Sequence, residues 1–178
     1  MSNPSHRLAT ADDIPAIAAL MDRAIAALQS DFLTPEQVAA SRLSMGLDTQ
    51  LIEDGTYFVV MVDGQIAGCG GWSFRATLYG GNHSVSLRDG SVLDPATDAA
   101  RIRAMYTDPD FTRRGIGRMI LRICEEAARG AGFARAEMMA TLAGEPLYRA
   151  CGYDVIERVD KMNGSGVPVP GVRMGKAL

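Results

Sequence analysis

FTRRGIGRMILRICEEAAR, Phe111 to Arg129, sets three arginines around two glycines where an amphipathic helix begins. Ile116, Met119, Ile120, Ile123, Cys124 and Ala127 fall at i, i+3, i+4, i+7, i+8 and i+11, one apolar stripe at the helical period, so the stretch is a helix with a face to bury. Its start is electrostatically unusual. A helix N-terminus carries roughly half a positive charge and four N–H groups without intrahelical partners, and a cation there costs about 0.3–1 kcal/mol. Arg113, Arg114 and Arg118 therefore have the wrong sign unless an anion sits among them. A phosphate on Gly115 and Gly117 would reverse the penalty, because no Cβ shields those N–H groups and guanidinium forks suit phosphate oxygens. The competing reading is a solvated, arginine-rich helix start whose glycines serve a turn.

Composition narrows the classes. The 178 residues suit a single domain over 1–178, able to bury roughly 70% of its extended-chain surface. A net charge of −3 supplies no basic field for nucleic acid. MSNPSHRLATADD contains no apolar signal core, and Asp22 and Arg23 interrupt the apolar run from Ile14 to Leu28, so a cytoplasmic protein with no membrane partner is expected. Cys69, Cys124 and Cys151 are scattered and odd in number, which suits reduced thiols, and with His6 and His83 as the only histidines no metal site is expected.

Working outward, Arg7–Ala9 reads as a short strand, followed by a helix capped by Asp12 with Ile14, Ile17, Met21, Ile25 and Leu28 on one face. A second helix starts after Thr34 with Pro35 in its first turn. The runs 56–62 and 65–72 flank Asp63-Gly64, the two-residue signal for a type I′ hairpin. Residues 73–100 lack periodicity and read as an ordered excursion or a flexible loop. Arg101–Thr107 is a strand leading into the glycine turn and the 115–129 helix, which Gly130 and Gly132 stop. A strand at 135–141, a short helix at Pro146–Cys151 and two strands within 155–176, broken by NGSGVPVP, complete the chain. The order β-α-α-β-β-β-α-β-α-β-β implies an α/β fold with a mixed sheet and helices on its faces.

Two familiar phosphate sites fit poorly. A Walker loop needs GxxxxGK[ST], which is absent, and the dinucleotide fingerprint GxGxxG fails where Ile120 replaces the third glycine. Glu137 nonetheless lies about where a ribose-binding acid would stand, which keeps a dinucleotide-binding oxidoreductase as a rival. The combined pattern resembles the GNAT superfamily of acyl-CoA-dependent N-acyltransferases. Its Q/R-x-x-G-x-G/A signature reads TRRGIG here, and PLYRACGY resembles its second motif, a tyrosine followed by x-x-x-G-[FY]. IRAMYTDPDF resembles the fourth strand and its exit, and the likeness spans about residues 7–178. Thr112 departs from the pattern, standing where the family carries Gln or Arg.

The resemblance implies a central mixed, mostly antiparallel sheet with helices on both faces, whose fourth and fifth strands splay at a bulge. It implies acetyl-CoA as cosubstrate, with its pyrophosphate on the amides of Arg113, Arg114, Gly115, Ile116, Gly117 and Arg118. The pantetheine arm would pair with the backbone of Met105, Tyr106 and Thr107 as an added strand does. Tyr148 matches the tyrosine that protonates the departing thiolate. The acceptor would be a small-molecule or peptide amine attacking directly, and a homodimer is left open.

An amine must be neutral to attack a thioester, and a lysine-like amine with pKa near ~10.4 is almost wholly protonated at pH 7. Family members often carry a glutamate on the fourth strand, but ARIRAMYT holds no carboxylate, so the base is unassigned. Glu145, Asp94, Asp98, His83 and a water chain are candidates. Trp72, Phe74, Tyr79 and Tyr106 are candidates for an acceptor pocket, and Arg75 and Arg88 hint at an acidic acceptor. The missing carboxylate keeps a second class open, an acyl-CoA-binding sensor without transfer.

Overall fold

The computed structural model describes residues 3–161 and 164–178. In chain order the elements are β1 (Ser5–Leu8), α1 (Ile14–Leu28), α2 (Pro35–Ser41), α3 (Thr49–Glu53), β2 (Tyr57–Val62), β3 (Gln65–Ser73), β4 (Ala100–Thr107), α4 (Ile116–Gly130), β5 (Arg135–Ala140), α5 (Glu145–Ala150), β6 (Asp154–Lys161) and β7 (Val169–Ala177). The strands form one sheet in the order β1-β2-β3-β4-β5-β7-β6, with β4 and β5 parallel and the remaining neighbours antiparallel. This is the mixed, mostly antiparallel sheet that the sequence implied. Asp63 and Gly64 hold φ of 49° and 79°, as a type I′ turn between β2 and β3 requires.

Alternation along β2 places a helix on each face. Tyr57 and Val59 join Ile17, Leu20 and Met21 of α1 in one buried cluster, whereas Val60 and Val62 join Ile116, Ile120 and Leu121 of α4 in the other. Ile120 and Cys124 are fully buried, so the stripe that identified the helix is the face it buries.

Several local details differ from expectation. The first strand lies at Ser5–Leu8, and α1 is preceded by a single 3-10 turn, Ala11–Asp13, organised by Asp13 and not Asp12. Asp13 accepts from the Thr10 N–H at 2.8 Å while Arg7 grips both of its oxygens at 2.7 and 2.8 Å, a combination open to the third residue of the turn. The short α3 had no periodic signal. Residues 73–100 are the ordered alternative: Thr77 exchanges bonds with Asp89, and Asn82 accepts from the Thr49 N–H at 3.0 Å. The break before the last strand begins at Asn163, which lies outside the described residues.

One irregularity positions everything that follows. Cys69 of β3 faces Tyr106, but Gly71 faces Arg103, so β4 carries one residue more than its partner across this interval, a β-bulge at Ala104–Met105. Ala104 sits at φ 49°, a left-handed conformation that costs an alanine about 1–3 kcal/mol. The extra residue inverts the strand's parity. Ala100 and Ile102 face α4, whereas after the bulge Tyr106 faces α1 and Met105 turns towards α4. Pairing of β4 with β5 covers only Ala100 with Ala136 and Arg101 with Glu137, and beyond it the two strands diverge.

Candidate active site

A cleft of about 880 Å³ lies beside the part of β4 that diverges from β5 and is lined by residues of α1 and of α4. The α4 start lines it through Thr112, Arg113 and Gly115 to Arg118, with Gly144, Leu147 and Tyr148 of the α5 region; Leu28, Gln29, Phe32, Tyr79 and Lys161 line it elsewhere. Arg103 to Thr107 of β4 run along its floor.

At the phosphate-sized end, Arg113 and Gly115 both take positive φ, 63° and 79°, and Gly115 caps the helix with no side-chain bond to the first turn. The first bond back to Gly115 comes from Met119 N–H at 2.9 Å, so the N–H groups of Ile116, Gly117 and Arg118 precede it and have no acceptor among the described residues. A Cβ on Gly117 would lie 2.8 Å from Leu147 Cδ2, so glycine there lets α5 close over the turn. Arg113 and Arg118 line the cleft, but the Arg114 side chain does not; its guanidinium lies 5.2 Å over the Phe111 ring. Thr112, the departure from the family pattern, donates its hydroxyl locally to the Pro109 carbonyl at 3.1 Å. The strand exit is fixed by Asp108, a buried carboxylate paired with Arg23 of α1 and accepting from the Asp110 N–H.

Met105, Tyr106 and Thr107 line the cleft on the part of β4 that β5 has left, so their edge towards β5 has no strand partner among the described residues. Tyr148 meets them from α5. Its buried hydroxyl points at Met105 Sδ, 3.9 Å away, and burial raises its pKa so that it stays protonated at neutral pH. The Tyr106 hydroxyl is occupied elsewhere, accepting from the Gly46 N–H at 3.0 Å.

The remaining candidates divide sharply. Tyr79 and Tyr106 line the cleft; Trp72 and Phe74 do not, and Trp72 packs edge-on against Phe133 in the core. None of the four candidate bases lines it. Glu145 is held by Arg158 and Arg149 at 2.7 and 2.9 Å, which lower its pKa. Asp98 accepts from the Asp94 N–H at 2.7 Å within one turn, and His83 Nε2 meets the Arg42 carbonyl at 2.7 Å. Arg75 is clamped on Asp54 at 2.7 and 2.8 Å and Arg88 on Asp48 at 2.8 Å, which leaves neither aimed at this cleft.

Four cleft residues escaped the sequence reading. Asp31 is the sole carboxylate among the described lining residues and is exposed at the rim. Arg103 is buried, bonded to Asp48 at 2.9 Å and to the Thr77 and Gly80 carbonyls at 3.1 and 2.8 Å, so it ties the 73–100 segment to β4. Gln29 and Lys161 are each 5% exposed. No motif marks any of them, because their roles depend on contacts between distant segments.

Residues 21–153 match the sequence profile of the acetyltransferase (GNAT) family. No curated protein matches the chain at a significant level. Among solved structures, a GCN5-related N-acetyltransferase from Rhodopseudomonas palustris is similar over 100% of this chain and 98% of its own, at 19% identity and a TM-score of 0.72. The ribosomal-protein-alanine N-acetyltransferase of Brucella melitensis covers 98% and 99% at 20% identity and 0.65. The PaiA N-acetyltransferase of Thermoplasma acidophilum, solved in complex with coenzyme A, covers 99% and 100% at 12% identity and 0.66. At these identities the structural likeness is one of fold.

Proposed function

We propose that the chain, which belongs to the acetyltransferase (GNAT) family, transfers an acetyl group from acetyl-CoA to a primary amine by direct attack. The observation that carries this reading is the single cleft joining three unpaired helix N–H groups to the unpaired edge of a bulged strand, with the Tyr148 hydroxyl between them. The coenzyme A held by the PaiA structure supports the cosubstrate.

The α4 start fits a pyrophosphate: its N–H groups are open, Gly117 carries no side chain, and Arg113 and Arg118 supply cations at hand. The backbone of Met105, Tyr106 and Thr107 binds the amide-bearing arm as an additional strand would. A main-chain N–H at the bulge serves the oxyanion of the tetrahedral intermediate. Tyr148, kept neutral by burial, donates its proton to the departing sulfur, and the acceptor nitrogen loses its proton to water or to Asp31 at the rim. No cysteine participates.

Assay of thiol release from acetyl-CoA against a panel of amines tests the reading. A sensor that binds without transfer is favoured by one feature, the lack of a buried carboxylate among the described residues lining the cleft, and it predicts tight CoA binding with no amine-dependent release. Calorimetry with CoA and NAD(P) separates both from a dinucleotide site.

A further inference from the structure

Two largely buried polar side chains that line the cleft, Lys161 and Gln29, make no hydrogen bond or ion pair among the described residues. Lys161 is only 5% exposed, but its Nζ is not sealed from the cleft it lines, and among the described residues it meets no carboxylate or carbonyl. Its Nζ lies over the face of Tyr79, 5.7 Å from the ring centroid. The stem is held in place by Gly171 on β7, where a Cβ would come within 3.1 Å of Lys161 Cε and 3.2 Å of Cδ. Gln29, at the end of α1, is equally buried, and its Oε1 has no hydrogen-bond partner. Both residues line the cleft. They also belong to the same region, since Leu33, four residues beyond Gln29, clusters with Val169, the register partner of Lys161.

Burying a cation without a counter-ion is strongly unfavourable, and nearly all buried polar groups in native proteins have a partner. The other charges lining the cleft do not supply one. The arginines lining the cleft are cations and cannot serve, and Asp31, the one carboxylate among the described lining residues, forms no ion pair with Lys161. The missing partner therefore belongs to a ligand. An isolated lysine suits one compact anion, in contrast to the N–H groups and guanidinium forks that ring the phosphate-sized end. An unmatched acceptor beside it suits an N–H group.

We propose that Lys161 and Gln29 form the acceptor end of the cleft and select an amine that also carries a carboxylate, Lys161 binding the carboxylate and Gln29 Oε1 receiving an N–H of the same molecule. This rests on the transfer reading above. It makes the substrate class an amino acid or a compound with the same two groups, and makes Lys161 a specificity determinant that acts through binding.

The test compares L-alanine with L-alaninamide and 4-aminobutyrate with its amide, with acetyl-CoA, in the wild type, Lys161→Met and Lys161→Arg. The wild type is expected to favour the acids by roughly tenfold or more in kcat/KM, expressed in KM, as the loss of a charge-assisted contact predicts. That preference should collapse in Lys161→Met and persist in Lys161→Arg. Turnover of acids and amides alike by the wild type, or a preference that survives in Lys161→Met, overturns the inference and leaves acyl transfer standing. If CoA binds but no amine is acetylated, transfer fails, and calorimetry of L-alanine and 4-aminobutyrate with the CoA-loaded protein decides separately. Binding that weakens in Lys161→Met supports the carboxylate site, and absent or equal binding overturns it.

Discussion

The Tyr148 hydroxyl lies 3.9 Å from the Met105 sulfur, across the gap that opens where β4 leaves β5. A thioether is a weak acceptor, so the hydroxyl is committed to no strong internal bond and remains available to a substrate atom. Replacing Tyr148 by Phe should therefore cost no more than about 1 kcal/mol of stability. If the hydroxyl protonates the leaving sulfur, the same change lowers kcat by roughly 10–100-fold with little change in CoA affinity. Stopped-time kinetics with chemistry shown to be rate-limiting, paired with CoA calorimetry, measure both; an unchanged kcat returns Tyr148 to packing.

Gly117 is constrained from two sides. A Cβ would press on Leu147, and it would stand beside the open N–H groups of the α4 start. Gly117→Val is expected to weaken CoA binding by roughly tenfold or more, since a charge-assisted phosphate contact is worth about 1.5–3 kcal/mol. Binding by the wild type should also weaken as salt is raised. Wild-type affinity in the variant would remove the phosphate site from the α4 start.

Lys161 should destabilise the protein in the absence of ligand. Burial lowers its pKa from 10.5 to about 8, so the unfolded chain holds this proton more tightly than the folded one. Stability then rises with pH between about 8 and 10.5, and the full penalty, on the order of 2–4 kcal/mol, applies below 8. Lys161→Met should melt at a higher temperature than the wild type at pH 7, with the difference shrinking towards pH 10.5. Thermal melts across that range check the sign, and equal melting at pH 7 would show that the ammonium is already compensated.

Asp48 and Arg103 predict the opposite. Both side chains are 3% exposed and their atoms meet at 2.9 Å, while Arg103 also holds the Thr77 and Gly80 carbonyls. Asp48→Asn leaves a buried guanidinium uncompensated, at a cost of about 3–5 kcal/mol. Amide exchange should quicken first around residues 77–80, of which 78–80 line the cleft and Tyr79 faces Lys161; a variant with wild-type stability would show that the pair is not what anchors this segment.

Direct transfer requires no acyl-enzyme. Cys69 and Cys124 are fully buried, and burial pushes both thiols up, Cys69 to about 12, so neither offers a thiolate at neutral pH. Cys151 is partly buried but does not line the cleft. Cys151→Ala should retain near-wild-type turnover, with intersecting double-reciprocal lines in both proteins. Parallel lines and an isolable acetylated protein would establish the covalent route.

What the sequence disclosed was local. Asp63-Gly64 announced the hairpin because two consecutive positive φ values demand that chemistry, and the 116–127 stripe announced α4 because its buried face is written at one period. TRRGIG and Tyr148 could be placed because they sit beside such elements. Ala104 gave no warning: nothing about an alanine in ARIRAMYT signals a left-handed residue, which the surrounding pairing imposes. Asp48 and Arg103 are 55 positions apart, and Gln29 and Lys161 still farther, so only the assembled fold pairs the first two and brings the second two to the cleft. Lys161, beside the polar NGSGVPVP stretch, reads in isolation as a solvated strand end.

The one-residue excess in β4 also bears on how this chain can change over generations. Upstream of Ala104 the even-numbered side chains belong to one core and downstream to the other, so loss of a single codon between 103 and 106 would exchange the inward and outward sets of the following residues. Tyr106 would be thrust among the α4 contacts and Met105 withdrawn from Tyr148. Point substitutions in this strand can be tried one at a time, but length changes cannot: they would remove the opening and mispack two cores in the same event. The interval should therefore tolerate variation in residue type while its length stays fixed.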